Sequence, residues 1–154
     1  MHPSLDTSNL RFVEGSFKAE SINIQELPAF GNLIQVGAMK FYKLTTITEL
    51  IDRMFPKLEK IDGNLDIMQT SLTTLSHPFP ALKFIQGSVS ISDNNNLITL
   101  DSALSFVTYI KLDVRIHGNH KLKELSSNVF GSMSKCDGDI VIGSMITTSK
   151  ANLG

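Results

Sequence analysis

Residues 79–100 read FPALKFIQGSVSISDNNNLITL, and this stretch combines the two patterns that decide the fold. It opens with apolar residues three positions apart, Phe79, Leu82 and Ile85. It continues with the alternating apolar residues Val89 and Ile91, the period-2 signature of a strand with one buried face. The stretch therefore predicts a chain that turns and then enters a half-buried strand.

The opening phrase, Phe-x-x-Φ-x-x-Φ with Φ an apolar residue, recurs at steps of 24 to 26 residues. A regular step is expected of a solenoid, because each turn repeats one supersecondary unit. The sequence therefore predicts an α/β repeat solenoid, namely a leucine-rich-repeat-like, right-handed parallel β-helix of about six coils of roughly 25 residues. The phrase occurs as Phe30/Leu33/Val36, Phe55/Leu58/Ile61, Phe79/Leu82/Ile85, Leu104/Val107/Ile110 and Phe130/Met133/Cys136.

An alternating run follows each phrase and predicts one strand per coil, with six strands stacked in parallel into a single sheet. Short helical segments are expected on the back of the coils, over residues 48–54 and 126–130. Leu112 stands where other coils have glycine, so we expect coil five to bulge or widen there. A bend or a close backbone approach, where the chain turns into the sheet, is expected at the glycines that recur inside the strands. These are Gly15, Gly63, Gly87 and Gly138.

Three kinds of side chain are assigned structural roles. The phenylalanines of the phrase and Cys136 belong to the core, since Cys136 occupies the column of the isoleucines. Asn94 and Asn119 follow their strands at a corner, where an amide can satisfy backbone groups left over by the turn. His117 and His120 are too few to form a zinc site and are interpreted as solvated turn residues.

Length and composition agree with one domain. The 154 residues are divided into an N-terminal cap over 1–9, six coils over 10–143 and a tail over 144–154. A net charge of −1 argues against a nucleic-acid footprint, and no segment is long and apolar enough to span a bilayer. The first residues lack the apolar stretch of a signal peptide, and the single cysteine suits a reducing compartment as well as a surface protein. Localisation stays open.

Two segments carry a family resemblance. Val89-x-Ile91-x-x-Asn94 and its counterpart ending at Asn119 match the L-x-L-x-x-N core of leucine-rich repeats. The longer pattern L-x-x-I-x-G-x-L-x-I followed by L-x-x-L resembles the receptor L-domain, a ligand-binding module of insulin and epidermal growth factor receptors and of some fungal and protist surface proteins. The resemblance implies a non-catalytic module of secreted or cell-surface proteins that recognises a protein or glycan ligand. It is carried best by residues 57–75, 81–100 and 132–142, and its first half by 10–19.

The candidate binding surface is the solvent face of the sheet, because even positions of each strand point away from the core. We expect the face to centre on Tyr42, Met68, Arg115 and His117. No catalytic residues, cofactor or metal are assigned. The predicted binding residues are Lys18, Lys40, Tyr42, Asp66, Met68, Ser90, Asp113, Arg115, His117 and Asp139.

Like charges meet at one point of this face. Asp113 and Asp139 are expected on adjacent coils, where facing carboxylates repel each other. Either Arg115 or a calcium ion could offset that repulsion.

Two other functions are open. Parallel β-helices host carbohydrate-active enzymes, for which one face could supply acid, base and calcium ligands from Asp66, Asp113, Arg115, Asp137 and Asp139. Alternatively, the chain is a structural or adhesive subunit of a larger assembly. The lack of a convergent catalytic set favours a binding module over an enzyme.

Overall fold

The chain folds into the predicted parallel β-solenoid, with about five turns where the repeat predicted about six coils. The computed structural model describes residues 5–143, so the predicted tail over 144–154 and the first four residues lie outside that range. Strand β1 covers Phe12–Glu20 and β2 covers Gln35–Tyr42. Each later turn contributes two shorter strands. These are β3 (Lys60–Ile61), β4 (Leu65–Met68), β5 (Phe84–Ile85), β6 (Val89–Ser92), β7 (Tyr109–Ile110), β8 (Val114–His117), β9 (Lys135–Cys136) and β10 (Ile140–Ile142).

All strand pairs are parallel, and the described strands form one sheet with two arms. The order is β10-β8-β6-β4-β2-β3-β5-β7-β9, with β1 beside β2. We call the arm of β1, β2, β4, β6, β8 and β10 the broad sheet, and the arm of β3, β5, β7 and β9 the narrow strip. Each layer of one turn is called a rung, from β1 and β2 to the strand pairs β3/β4, β5/β6, β7/β8 and β9/β10. The prediction of one strand per coil was wrong from the third rung onward, because the chain bends between the two arms.

Glycine marks that bend because the rungs touch there. A Cβ at Gly87 would collide with Asn64 Oδ1 and with the backbone of Gly63. The predicted close approach is thus confirmed at these rungs. It is absent at Gly15, where nothing lies within 4 Å, since no earlier rung is described beneath it.

Leu112 occupies the same bend without any bulge. Ile85 pairs with Ile110 before the bend, and Val89 pairs with Val114 after it. The offset in residue number between the two rungs is therefore the same on both sides of the bend. The expected bulge or widening was therefore wrong. The Leu112 side chain instead turns outward and is 48% exposed.

The described residues contain no helix, so the predicted helical segments over 48–54 and 126–130 are wrong. Both segments consist of turns and irregular backbone. In 48–54, backbone groups bond to the neighbouring coil, as when Arg53 N donates to His77 O at 3.0 Å. A helix would need those groups for its own i→i−4 bonds. In 126–130, the backbone forms a single turn in which Val129 N donates to Ser126 O at 3.2 Å.

The strand alternation follows the predicted pattern. In β4, Leu65 and Ile67 are buried while Asp66 and Met68 are half-buried on the outer side. The inward residues of successive rungs stack into one continuous hydrophobic core. Each coil covers the apolar residues of the next coil, so the core forms only when neighbouring coils fold together.

The phenylalanines of the repeated phrase form a column at one corner of this core, as predicted. Phe30 and Phe55 stack with ring centroids 5.4 Å apart, and Phe55 and Phe79 with centroids 5.5 Å apart. Cys136 pairs with Ile110 in the inward column and packs partly buried against the core.

A buried amide ladder holds the opposite end of the broad sheet. Asn94 and Asn119 are fully buried, and each donates from Nδ2 to a carbonyl of the preceding rung, Ile67 O and Ile91 O, at 2.9 Å. Asn94 Oδ1 accepts from the backbone N–H of Thr70 at 3.0 Å. Asn119 Oδ1 accepts from Asn94 N at the same distance. The predicted structural role of both asparagines is confirmed.

Replacing one amide of this ladder should cost much of the stability. Asn94→Ala leaves the Thr70 N–H and the Ile67 carbonyl buried without their partner, so the free energy of unfolding should fall by about 2–4 kcal/mol. Urea denaturation of the variant and of the exposed control Asn95→Ala measures the difference. The control should stay within about 0.5 kcal/mol of the wild type. Equal losses in the two variants would contradict the ladder's role.

The bend can be tested with glycine. Gly87→Ala places a methyl group against Asn64 and Gly63, so we expect a loss of about 1–3 kcal/mol in the free energy of unfolding. Gly31→Ala is the matched control, because no atom lies within 4 Å of its added Cβ. A Gly87→Ala variant as stable as Gly31→Ala would show that the rungs are not in contact at the bend.

Candidate functional site: the outer face of the broad sheet

The strand register brings the predicted binding residues together in columns that run across the rungs. One column pairs Lys18, Lys40, Asp66, Ser90, Arg115 and Val141 in that order. The next pairs Glu20, Tyr42, Met68, Ser92 and His117. Adjacent strands lie about 4.8 Å apart, so each column presents one side chain per step along a flat face.

Exposure along the face is uneven. Arg115 and His117 are exposed, whereas Lys40, Tyr42 and Ser90 are half-buried. Ser92 is fully buried, and its hydroxyl has no hydrogen-bond partner among the described residues. The column that runs from Glu20 to His117 is therefore interrupted by a small buried residue between Met68 and His117.

Tyr42 is held between two cations near the N-terminal side of the face. Lys40 Nζ lies 4.7 Å and Lys43 Nζ 5.1 Å from the centroid of its ring. Lys40 also forms an ion pair of 3.1 Å with Glu20 on the preceding rung. The ring is thus fixed by cation–π contacts, which leave its phenol available to a partner.

Arg115 offsets the predicted clash of carboxylates. Its Nη2 atom lies 2.6 Å from Asp113 Oδ2. The other Asp113 oxygen accepts the backbone N–H of Asp139 at 2.9 Å. Both oxygens of Asp113 are thus engaged, and this carboxylate holds the rungs together as well as facing solvent.

The same bonding between rungs recurs at the residues that follow the bend on successive rungs, Asn64, Ser88 and Asp113. Asn64 Oδ1 accepts from Ser88 N at 2.8 Å, and Ser88 Oγ accepts from Asp113 N at 3.3 Å. Each side chain replaces a backbone bond that the bend interrupts. Asp113 was predicted as a binding residue, and its bonds between rungs were not predicted. The recurring polar residue after the glycine position was the signal of this role.

Asp66 is the half-buried carboxyl of the face. Burial raises its pKa above the ordinary value of 3.8, and the nearby charge of Lys40 counteracts this only in part. No hydrogen bond or ion pair of this carboxylate occurs among the described residues. Asp66 is therefore an acidic group of the face that the fold leaves without a partner among the described residues.

The narrow strip carries two ion-pair clusters that the sequence analysis missed. Lys60 Nζ lies 2.6 Å from Asp62, and Lys135 Nζ lies 2.9 Å from Asp137. Tyr109 donates its hydroxyl to Asp137 Oδ2 at 2.7 Å. The lysine bonds lower the pKa of both aspartates, and the bond to Asp137 raises the pKa of Tyr109.

Two clefts lie away from the broad-sheet face. An apolar cleft of about 580 Å³ opens beside β1 at the N-terminal end and is lined by Phe17, Leu27 and Phe30 among others. A polar cleft of about 480 Å³ lies at the asparagine corner. In the part of the chain that the structure describes, no three His, Cys, Asp or Glu side chains converge as a metal site would require. Residues 5–143 also include no helix suited to crossing a membrane.

Stacked parallel rungs with a regular outer face define the class of the fold as a parallel β-solenoid. The chain matches the family model described as Receptor L domain over residues 43–135, which is more than half of its length. The chain belongs to the receptor L-domain family, as its repeat pattern indicated. Receptor L domains are ligand-binding, protein-interaction modules. No curated protein and no solved structure matches the chain.

The half-buried carboxyl predicts an unusual pH response. A carboxyl whose pKa is higher in the folded than in the unfolded chain binds its proton more tightly when folded, so stability falls as the pH rises from 3.8 through the raised value. Asp66→Asn should therefore raise the melting temperature at pH 7, and the gain should shrink as the pH falls toward 3.8.

The control is Asp52→Asn, which removes the same charge from an exposed turn position. Thermal melts of both variants across that pH range make the comparison. A melting temperature lowered by Asp66→Asn at pH 7 would mean that attraction to Lys40 outweighs burial.

Proposed function

We propose that the protein is a non-catalytic recognition module of the leucine-rich-repeat type that binds a protein or glycan ligand through the outer face of its broad sheet. In this proposal it serves as part of a secreted or cell-surface protein. Tyr42, Met68, Arg115 and His117 form the centre of the contact. Family membership supports a binding role. The binding face and the class of ligand belong to the proposal.

The observation that carries the proposal is the strand register that pairs the outward side chains from rung to rung, from Lys18 and Glu20 onward. Backbone ladders on both sides of β2, β4, β6 and β8 fix the backbone that carries these side chains, so little backbone entropy remains to be lost on binding. Tyrosine and arginine are also the residues most often found at the energetic centres of protein interfaces. A rigid scaffold that displays such groups on one face is suited to recognition.

The residues named for the carbohydrate-active alternative do not lie together on one face. That hypothesis needs Asp137 beside Asp66 and Asp113 on one face. The structure places Asp137 on the narrow strip, bonded to Tyr109 and Lys135. Asp113 is already engaged by Arg115 and by the backbone of Asp139. The assembly alternative stays a hypothesis.

Substitutions on the face should weaken ligand capture without unfolding the chain. In a pulldown from the native source, Tyr42→Ala and Arg115→Ala should each reduce recovery of the specific partner about tenfold or more, as for central residues of an interface. Lys123→Ala is the matched control, because it removes an exposed charge outside the broad sheet. Circular dichroism should show the same fold for all variants. Equal recovery with all three variants would identify the broad-sheet face as the wrong surface.

A further inference from the structure

Leu112 is an exposed leucine at a position that the fold reserves for the smallest side chain. Gly63, Gly87 and Gly138 occupy the equivalent bend in the other rungs with two strands. At Gly138, a Cβ would meet the carboxylate of Asp113 and the backbone of Leu112 itself. On the rung before Leu112, the residue that follows the bend is Ser88. Its side chain is shorter than those of Asn64 and Asp113, which follow the bend on the neighbouring rungs.

Packing does not explain this leucine. Its side chain is 48% exposed, and the register is the same on both sides of it. An exposed apolar side chain contributes little to stability, and glycine would satisfy the bend as it does elsewhere. The side chain is therefore available for contact with another molecule.

Further aromatic surface lies beside it on the narrow strip. Phe84 and Tyr109 are direct partners in adjacent strands, and Phe84 is 42% exposed. Tyr109 stands three residues before Leu112, so their Cα atoms are at most about 10 Å apart. The Tyr109 hydroxyl is held by Asp137, and Lys135 Nζ lies 5.3 Å from its ring centroid, so this ring is fixed in place. Three large apolar groups thus share one corner of the solenoid.

The charges around this corner favour a negatively charged partner. Lys83 and Lys111 are exposed and form no ion pair among the described residues. The carboxylate of Asp137 is already neutralised by Lys135 at 2.9 Å. Lys111 also acts on that carboxylate, as the smallest of the causes that lower the pKa of Asp137. The apolar groups are therefore bordered by two cations without a direct ion pair among the described residues. Complementary charge raises the rate and the specificity of association.

We propose that this Leu112 corner, formed by Lys83, Phe84, Tyr109, Lys111 and Leu112, is a docking site for an acidic polypeptide segment that carries large apolar side chains. The apolar side chains of the segment contact Phe84 and Leu112, and its carboxylates pair with Lys83 and Lys111. The site lies mainly on the narrow strip and meets the broad sheet only at the bend. It does not depend on whether the broad-sheet face binds a ligand.

A peptide selection on the folded chain tests the site. The probe is a phage-displayed library of random dodecapeptides, followed by synthesis of the enriched peptides. Enriched peptides should combine Asp or Glu with Leu, Phe or Trp, and their affinity should fall with added salt. Leu112→Ser and Lys111→Glu should each weaken binding about tenfold or more. Replacing the acidic residues of a selected peptide by their amides should have the same effect.

Two controls separate the site from the fold and from the broad-sheet face. Ile98→Ser makes the same kind of change at an exposed aliphatic residue elsewhere, 55% exposed, and should leave peptide affinity unchanged. Tyr42→Ala, on β2, should also leave it unchanged. The melting temperature of Leu112→Ser should stay within about 2 °C of the wild type, as expected for a surface position. A larger drop would assign Leu112 to the fold and overturn the proposal.

Other results would also overturn it. Peptides without acidic residues, binding that survives Leu112→Ser, or failure to enrich any peptide would each exclude an acidic polypeptide at this corner. Binding lost in Tyr42→Ala but kept in Leu112→Ser would assign the peptides to the broad-sheet face instead. Dimerisation in light scattering that Leu112→Ser abolishes would identify a second copy of the chain as the occupant.

Discussion

Each rung of this protein is held to its neighbours by parallel backbone hydrogen bonds, and this stacking constrains almost everything else in the structure. An isolated coil buries too little apolar surface to offset the entropy of ordering it, so the coils become stable only together. The step of 24 to 26 residues in the sequence is the length of chain needed to return to the same column. Where the backbone bonds are interrupted, side chains take their place. The buried asparagines do so at one corner, and Asn64, Ser88 and Asp113 do so at the bend.

The same constraint divides the polar residues into two groups. Asp113 and the asparagines are used to join rungs, so their polarity serves the fold. Tyr42, Asp66 and Arg115 stand on the outer face, and their positions follow from the strand register rather than from bonds to the next rung. A solenoid therefore supplies a flat array of side chains at a fixed spacing, and recognition depends on which residues occupy the array.

Much of this arrangement was predictable from local sequence. The repeat step, the inward columns, the phenylalanine stack and the roles of Asn94 and Asn119 all follow from periodicity and corner chemistry. The expected helix over 48–54 failed because its backbone groups bond to an adjacent coil, and local propensity carries no information about those partners. The expected helix over 126–130 is replaced by a single turn. The expected bulge at Leu112 failed for a related reason. A side chain can leave a crowded bend by pointing outward, which the sequence pattern does not reveal.

The sequence by itself determined that the chain stacks in parallel rungs and which side chains line its core, because the 25-residue repeat and the alternation within strands leave few other ways to bury the apolar residues. Only the tertiary structure decided that the bend divides each later coil into two strands in separate arms, since each arm is defined by its pairing with neighbouring rungs. That bend separates Asp137 from the other carboxylates and places Leu112 beside Phe84 and Tyr109. Residues far apart in sequence share a surface here, and their neighbours are set by stacking rather than by the chain next to them.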